Sequence, residues 1–195
     1  MKKVFAKASR WLHIYVSMFS FVVVLFFSVT GITLNHAEYF QSSVKTTEQK
    51  GSLDSLWVNA SDTLKIQKLQ VVEFFRNKYG VKGAVADFRI DESEISVSFK
   101  GPGYEADVFI ERETGAYELT QTNAGIIGFF NDLHKGRDTG RTWFWVIDIA
   151  SILMVIISLT GLILLLYIKK KRWPGILIGV VGLGVLYFLY HFWGQ

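Results

Sequence analysis

The sequence of 195 residues contains no cysteine. Disulfides, thiolate metal sites, thiol redox chemistry and lipoprotein anchoring are therefore excluded together. A metal bound by this chain would have to use histidine, methionine or oxygen ligands. Only four histidines are present, so histidine is the residue type to follow.

Several catalytic signatures are absent as well. The sequence has no Gly-x-Ser-x-Gly motif, no His-Glu-x-x-His motif and no Walker-type phosphate loop. It also has no fingerprint for nicotinamide or flavin binding. Hydrolytic chemistry thus has no support in the sequence. An electron-transfer role would need a quinol, another membrane protein or a soluble reductase as the electron donor.

Acidic residues are missing from the two most basic stretches. Eight of the 21 basic residues form two short clusters without acids: Lys2, Lys3, Lys7 and Arg10, then Lys169, Lys170, Lys171 and Arg172. Residues 37–142, by contrast, hold 13 basic and 16 acidic residues. Basic clusters beside apolar segments orient membrane proteins. We therefore attribute the net charge of +4 to membrane topology and expect no nucleic-acid partner.

Three apolar runs cover residues 14–34, 144–168 and 176–192. Each is long enough to cross the hydrocarbon core of a bilayer as a helix. The first is expected to be retained, because Asn35-His36-Ala37 is a poor signal-peptide cleavage site. With three spans, both basic clusters fall on one side. The positive-inside rule then puts the N-terminus in the cytoplasm, with residues 37–142 and the C-terminus on the outer side of the membrane.

This pattern predicts five segments along the chain. Residues 1–36 form the cytoplasmic N-terminus and the first span, and residues 37–142 form an extracytoplasmic domain with the stretch that re-enters the membrane. Residues 143–168 form the second span, residues 169–174 a basic cytoplasmic loop, and residues 175–195 the third span. The fold class is an α-helical membrane protein with an α+β domain between the first two spans.

The middle segment shows helical and then alternating periodicity. Ser61 or Asp62 is the predicted N-cap of a helix that Gly80 ends. The apolar face of this helix is predicted to consist of Ile66, Leu69, Val72, Phe75 and Tyr79. Three alternating runs follow at residues 84–90, 94–99 and 104–110, and a turn at Thr114-Gly115 leads toward Tyr117 and Leu119. A helix laid on an antiparallel meander is the economical arrangement.

A weak internal repeat links the first two spans. Leu12-His13 precedes the first span and Leu133-His134 precedes the second. Thr30-Gly31 lies at the end of the first span, and Thr160-Gly161 lies late in the second. The spacing indicates two inverted copies of one helix that begins at a histidine and ends near a glycine.

Longer motifs around these residues carry a family resemblance. They are R-W-L-H (10–13), T-G-I-T-L-N-H (30–36), L-H-K-G-R (133–137), T-G-L (160–162) and, in the middle segment, F-I-E-R-E-T-G (109–115). With these motifs the chain resembles the PepSY-associated transmembrane proteins. Larger relatives include bacterial inner-membrane ferric-siderophore reductases, in which transmembrane histidines hold b-type haems. This chain departs from them in having three spans and four histidines.

The resemblance implies haem b, held by histidines from different helices. His134, His36 and His191 are expected near the outer membrane surface, with His134 and His36 as the axial pair and His191 as a substitute. His13 lies about 34 Å of helix away from His36, so it belongs to the other surface and to a second haem, if there are two. The alternative interpretation is that all four are amphipathic interfacial histidines.

Three cations follow His134 closely. Lys135, Arg137 and Arg141 are candidates for clamping haem propionates, because a guanidinium matches a carboxylate in bidentate geometry. The alternative is a solvated turn, or pairing of these cations with Asp132 and Asp138.

Two functional classes remain open. The first is a haem b electron-transfer protein that takes electrons from a quinol or a membrane redox partner. It would deliver them to a periplasmic acceptor such as a ferric siderophore. The second is a non-enzymatic accessory protein, in which the PepSY-like domain binds a partner and the spans serve as an anchor. Lipid contact is expected in both cases, and a homo-oligomer is compatible with both.

Overall fold

The computed structural model of this chain describes residues 2–60 and 62–194. Those residues form five α-helices: α1 Lys2–Asn35, α2 Lys68–Tyr79, α3 Gly125–Lys135, α4 Arg141–Tyr167 and α5 Arg172–Trp193. They also form five strands: β1 Lys45–Ser52, β2 Ala84–Ile90, β3 Glu94–Gly101, β4 Tyr104–Glu111 and β5 Ala116–Asn123. Short 3-10 helices occur at Ala37–Ser43, Ser55–Trp57 and Thr63–Lys65.

The chain divides into two compact units. The helical unit contains the described residues up to Leu25 and those from Val146 onward. The sheet unit is Phe26–Trp145 and contains all five strands with α2 and α3. The last turns of α1 and the first turn of α4 belong to the sheet unit.

Within the described residues, α1, α4 and α5 are long and apolar enough to cross a membrane. This finding confirms the three predicted spans and places an antiparallel sheet between the first and the second. The third helix begins at Arg172, four residues before the predicted apolar run, because Trp173-Pro174-Gly175 lies in its first turn. Proline is accepted there, since the first N–H groups of a helix have no partner within the helix.

The sheet confirms the predicted antiparallel meander. Its strand order is β1-β5-β4-β3-β2, and every neighbouring pair is antiparallel. Successive side chains of a strand point to opposite faces, so every second residue lies on the face covered by α2. The buried residues of that face are Ile95, Val97, Phe99, Ala106, Val108, Ile110, Tyr117 and Leu119. They form one core with Val71, Val72 and Phe75 of α2.

The start and the face of α2 differ from the prediction. Asp62 caps a separate 3-10 turn by accepting a hydrogen bond from Leu64 N at 3.0 Å, and Ser61 lies outside the described residues. α2 begins only at Lys68. Leu69 is 74% exposed and Val71 is fully buried. Ile66 precedes the helix, and the buried face of α2 is formed by Val71, Val72 and Phe75. Gly80 ends the helix in the left-handed conformation, as predicted.

Strand β1 is an element that the sequence pattern did not predict. Its residues, K-T-T-E-Q-K-G-S, contain no apolar alternation, and nearly all of them are exposed at the edge of the sheet. It pairs with β5 along its whole length. Gly51 lies opposite Tyr117, and a Cβ atom there would be 2.6 Å from the Tyr117 hydroxyl. Glycine is therefore required at this position for the phenol to occupy its place.

A polar cluster joins the end of α2 to the sheet. The Tyr117 hydroxyl accepts a hydrogen bond from Lys78 Nζ at 3.2 Å and lies 2.6 Å from the Tyr79 hydroxyl. Lys78 Nζ also lies 5.0 Å from the centre of the Phe74 ring. The bond to Tyr117 raises the pKa of Lys78, and burial raises the pKa of Tyr117. Burial also raises the pKa of Tyr104.

These shifts predict a loss of stability at alkaline pH. A group whose pKa is raised on folding favours the folded state below its unfolded pKa, and this contribution disappears as the pH rises through the folded pKa. Because unfolded tyrosine and lysine titrate near pH 10, the melting temperature of the full-length protein in detergent should fall above about pH 10. Tyr117→Phe should make this fall shallower. A wild-type melting temperature that stays constant from pH 9 to 11, measured by circular dichroism, would contradict the prediction.

Candidate functional site: two histidine–threonine contacts

In the helical unit, His13 of α1 contacts the C-terminal half of α4. Its Nδ1 lies 3.0 Å from Thr160 Oγ1 and 3.2 Å from the Ile157 carbonyl oxygen. Thr160 is buried, and its hydroxyl donates to the Ile156 carbonyl at 2.7 Å, one turn earlier in α4. Gly161 allows the ring to approach, since a Cβ there would be 3.1 Å from His13 Cε1.

In the sheet unit, His134 of α3 makes the same kind of contact with α1. Its Nδ1 lies 2.6 Å from Thr30 Oγ1. Thr30 is buried, and its hydroxyl donates to the Phe26 carbonyl at 2.6 Å. Gly31 faces His134 Cε1, and Phe27 packs edge-on against the imidazole at 5.0 Å between ring centres.

Each contact joins the histidine of one copy of the predicted repeat to the threonine of the other copy. The histidine of the first copy, His13, meets the Thr-Gly pair of the second copy. The histidine of the second copy, His134, meets the Thr-Gly pair of the first copy. In both cases a buried threonine bonds to the carbonyl four residues earlier and presents its oxygen to an imidazole Nδ1. The repeated residues are therefore similar both in sequence and in the hydrogen bonds that they make.

The partners of Nδ1 determine which ring nitrogen carries the proton. A carbonyl oxygen only accepts hydrogen bonds, so Nδ1 of His13 is the protonated nitrogen facing Ile157 O. When the Thr30 hydroxyl donates to Phe26 O, its lone pairs accept from Nδ1–H of His134. With the ring proton on Nδ1, Nε2 carries the lone pair. That nitrogen is the one able to bind a metal or accept a proton.

Helix α3 was not predicted, because residues 125–135 were assigned no element of their own within residues 37–142. Its end is held by several buried polar contacts. Thr33 donates to Asn131 Oδ1 at 2.7 Å, and Gly103 N donates to the buried Asp132 carboxylate at 2.8 Å. Trp143 Nε1 donates to the Leu133 carbonyl at 2.7 Å. These bonds tie α3 to the end of α1, to the β3–β4 turn and to the start of α4.

The three cations after His134 have different surroundings. Arg137 pairs with Asp132 at 2.8 Å and lies 3.7 Å from Asp138, which is the pairing that the sequence left open as an alternative. Asp138 adopts a left-handed conformation with φ of 55°, and Gly136 caps α3 just before it. Lys135 and Arg141 are exposed, and no ion pair involves them within residues 2–60 and 62–194.

The remaining histidines have simpler surroundings. His36 follows α1 directly, donates from Nδ1 to the Ile32 carbonyl at 3.0 Å and stacks on Tyr39. His191 lies in α5, is exposed and stacks parallel to Tyr187 with 6.0 Å between ring centres. No hydrogen bond or ring contact joins His36 to His134 in the described part of the chain. The axial pairing of these two residues stays a prediction.

Bare metal ions have no evident site. Among the described residues, no group of three or more histidine or acidic side chains is placed to hold one. Haem iron takes one or two protein ligands, so this result does not bear on haem. The sequence identified His13 and His134 as candidates but did not identify Thr160 and Thr30 as their partners. The Thr-Gly half of the repeat was the available signal.

Thr30→Val should break the contact between α3 and α1 while preserving side-chain volume. Interhelical hydrogen bonds of this kind contribute about 0.5–1.5 kcal/mol, so the full-length protein should melt at a lower temperature in detergent. The 15N resonance of His134 Nδ1 should shift as well. Thr30→Ser keeps the hydroxyl and should behave like the wild type. Equal behaviour of the valine and serine variants in both measurements would show that the hydroxyl has no such role.

The two glycines provide a matched pair of variants. A Cβ at position 161 would be 3.1 Å from His13 Cε1, whereas at position 31 it would be 3.7 Å from His134 Cε1, an ordinary contact. Both substitutions to alanine bring the same gain in helix propensity, about 0.5–1 kcal/mol. Gly161→Ala should therefore be the less stable variant, by about 1 kcal/mol, in thermal melts. Equal stability of the two would contradict the tighter packing of His13.

Comparison with known families agrees with the motifs. A family model described as Putative PepSY_TM-like matches residues 7–194, which include both histidine–threonine contacts and the sheet between the first two spans. No curated protein and no solved structure matches the chain. The matched range extends over nearly the whole sequence, and we conclude that the chain belongs to the PepSY_TM-like family.

Proposed function

We propose that the protein binds haem b in the membrane and transfers electrons to an acceptor outside the cytoplasm. The observation that carries this proposal is the set of hydrogen-bond partners that three histidines have at Nδ1. In His13, His36 and His134, Nδ1 faces a carbonyl or threonine oxygen. Histidines that ligate metals are oriented in this way, with the second nitrogen hydrogen-bonded and Nε2 free to donate its lone pair. The donor chemistry of these residues therefore fits haem iron.

His134 and His36 would provide the axial ligands of one haem, with His191 as a substitute for either. His13 would serve a second haem. Thr30 and Thr160 would fix the ring orientation and keep the proton on Nδ1. Haem b, when bound, supplies reversible one-electron chemistry, whose potential depends on the axial ligands and their hydrogen bonds.

The proposed orientation follows from the basic clusters. Lys2, Lys3, Lys7 and Arg10, together with residues 169–172, would lie on the cytoplasmic side of a bacterial inner membrane. The sheet domain and the C-terminus would then lie in the periplasm. A quinol or a membrane redox partner would supply electrons, and a ferric siderophore is the class of acceptor that the family resemblance supports. Lys135 and Arg141, which are exposed, remain the candidates for binding propionates, since Arg137 is already paired with Asp132.

A second candidate function is that of an accessory protein that displays its PepSY domain to a partner. The interhelical contacts of His13 and His134 favour this accessory function. Each histidine–threonine contact joins two helices, and interhelical hydrogen bonds of this type stabilise membrane bundles without any cofactor. In this case the imidazoles have a structural role, and the spans serve as an anchor.

The visible spectrum of the purified full-length protein distinguishes these functions. Protein prepared in detergent from haem-replete cells should show a Soret band and, after reduction, sharp α and β bands. A pyridine haemochrome assay gives the number of haems per chain. A colourless preparation that remains folded by circular dichroism would exclude the haem proposal and favour the accessory function.

Single histidine variants test the assignment of ligands. His134→Ala should abolish or convert the haem spectrum, because it removes one proposed axial ligand. His13→Ala should leave at least one haem bound. His191→Ala is the matched control, since this exposed residue is assigned only a substitute role. Equal loss of haem from the His134 and His13 variants would show that the assignment of the two residues to separate haems is wrong.

A further inference from the structure

An open apolar groove lies in the helical unit, between the first turns of α1 and the last turns of α4. Its volume is about 630 Å³. Phe5, Trp11 and Leu12 line it from α1, and Ile163 lines it from α4. Lys7 is the one charged side chain among the described residues that line the groove. The groove thus combines an apolar surface with a single cation.

The chain around this groove is strongly cationic. The residues up to Leu25 and from Val146 onward include eight lysines and arginines but only one acid, Asp148. The ring of Phe5, which lines the groove, packs against Tyr167 at 6.3 Å between ring centres. Tyr167 ends α4, and the basic residues 169–172 follow it immediately. The basic residues 169–172 therefore begin two residues after Tyr167, whose ring packs against Phe5 of the groove wall.

The lining of the groove restricts what can occupy it. Among the described residues its wall is mainly apolar and carries one cation, Lys7. A flexible hydrocarbon chain joined to an anionic headgroup matches both features. Basic pockets between membrane helices are sites at which anionic lipid headgroups bind.

We infer that the groove is a binding site for an anionic phospholipid. One acyl chain lies along Phe5, Leu12 and Ile163, and Lys7 together with the basic residues 169–172 binds the phosphate. The apolar lining selects a lipid over free phosphate, and the cations select an anionic headgroup over a zwitterionic one. The groove borders the His13 contact, since Thr160 also lines it, but lipid binding uses neither His13 nor haem and does not depend on the proposed function.

Native mass spectrometry of the full-length protein tests this inference with two probes, dioleoyl phosphatidylglycerol and dioleoyl phosphatidylcholine. The wild type should retain phosphatidylglycerol at least threefold more than phosphatidylcholine. Ala8→Phe fills the groove without changing the charge, and Lys7→Gln removes the lining cation. Each should reduce phosphatidylglycerol retention at least threefold. Millimolar inorganic phosphate should not displace the lipid, since the acyl chain contributes to binding.

Two control variants preserve the groove. Val180→Phe enlarges an exposed side chain of α5, and Lys45→Gln removes an exposed cation of β1. Both should retain phosphatidylglycerol like the wild type. Equal retention of the two lipids by the wild type would overturn the inference, as would unchanged retention by the Lys7→Gln and Ala8→Phe variants. A dimer that Ala8→Phe dissociates, with lipid retention unchanged, would assign the groove to a second copy instead.

Discussion

A hydrogen bond between a histidine Nδ1 and a buried threonine joins α1 to α4 in the helical unit and α3 to α1 in the sheet unit. In a hydrocarbon environment, a polar side chain without a partner is costly, so imidazole, hydroxyl and backbone carbonyl must satisfy one another. Thr160 and Thr30 do this for His13 and His134, since each hydroxyl bonds to a carbonyl of its own helix and lies within hydrogen-bond distance of the ring. A glycine beside each threonine leaves space for the imidazole.

This constraint explains the arrangement of the sheet unit around α3. His134 can reach Thr30 only if the end of α3 is fixed against the end of α1. Thr33 and Asn131 bond to each other close to that contact, and the buried Asp132 holds both Gly103 and Arg137. The Asp132 carboxylate, which would be costly if buried alone, is neutralised by a cation and a backbone N–H. Arg137 therefore has a structural role, because it pairs with the buried Asp132 carboxylate.

The elements that the sequence predicted are those with a regular periodicity. Alternation from Glu94 to Ile110 predicted β3 and β4, and long apolar runs predicted the three spans. β1 has no apolar alternation, because it is an exposed edge strand whose position is set by backbone pairing to β5. α3 is amphipathic along Gly125–Lys135, so its periodicity was an available signal that the prediction did not use. α2 began later than predicted, because Asp62 caps a separate turn.

The candidate site was predictable only in part, for a physical reason. Local periodicity reports which face of a helix is apolar, but it does not report which residues meet across the chain. His134 and Thr30 are separated by 104 positions, and His13 and Thr160 by 147. The repeated Leu-His and Thr-Gly pairs indicated that these residues matter. Their exchange between the two copies became visible only from the contacts.

A structural role and a haem-binding role for these histidines are compatible, because each contact uses only one ring nitrogen. The Nδ1 bond fixes the ring and explains why a histidine occupies the position, whether or not a cofactor is present. The second nitrogen is left with a lone pair by the same proton assignment. A structural imidazole needs nothing further at Nε2, whereas an axial ligand needs iron there. Under the proposed haem function, Nε2 of His134 would be the ligand nitrogen, and the contact of Nδ1 with Thr30 would orient it.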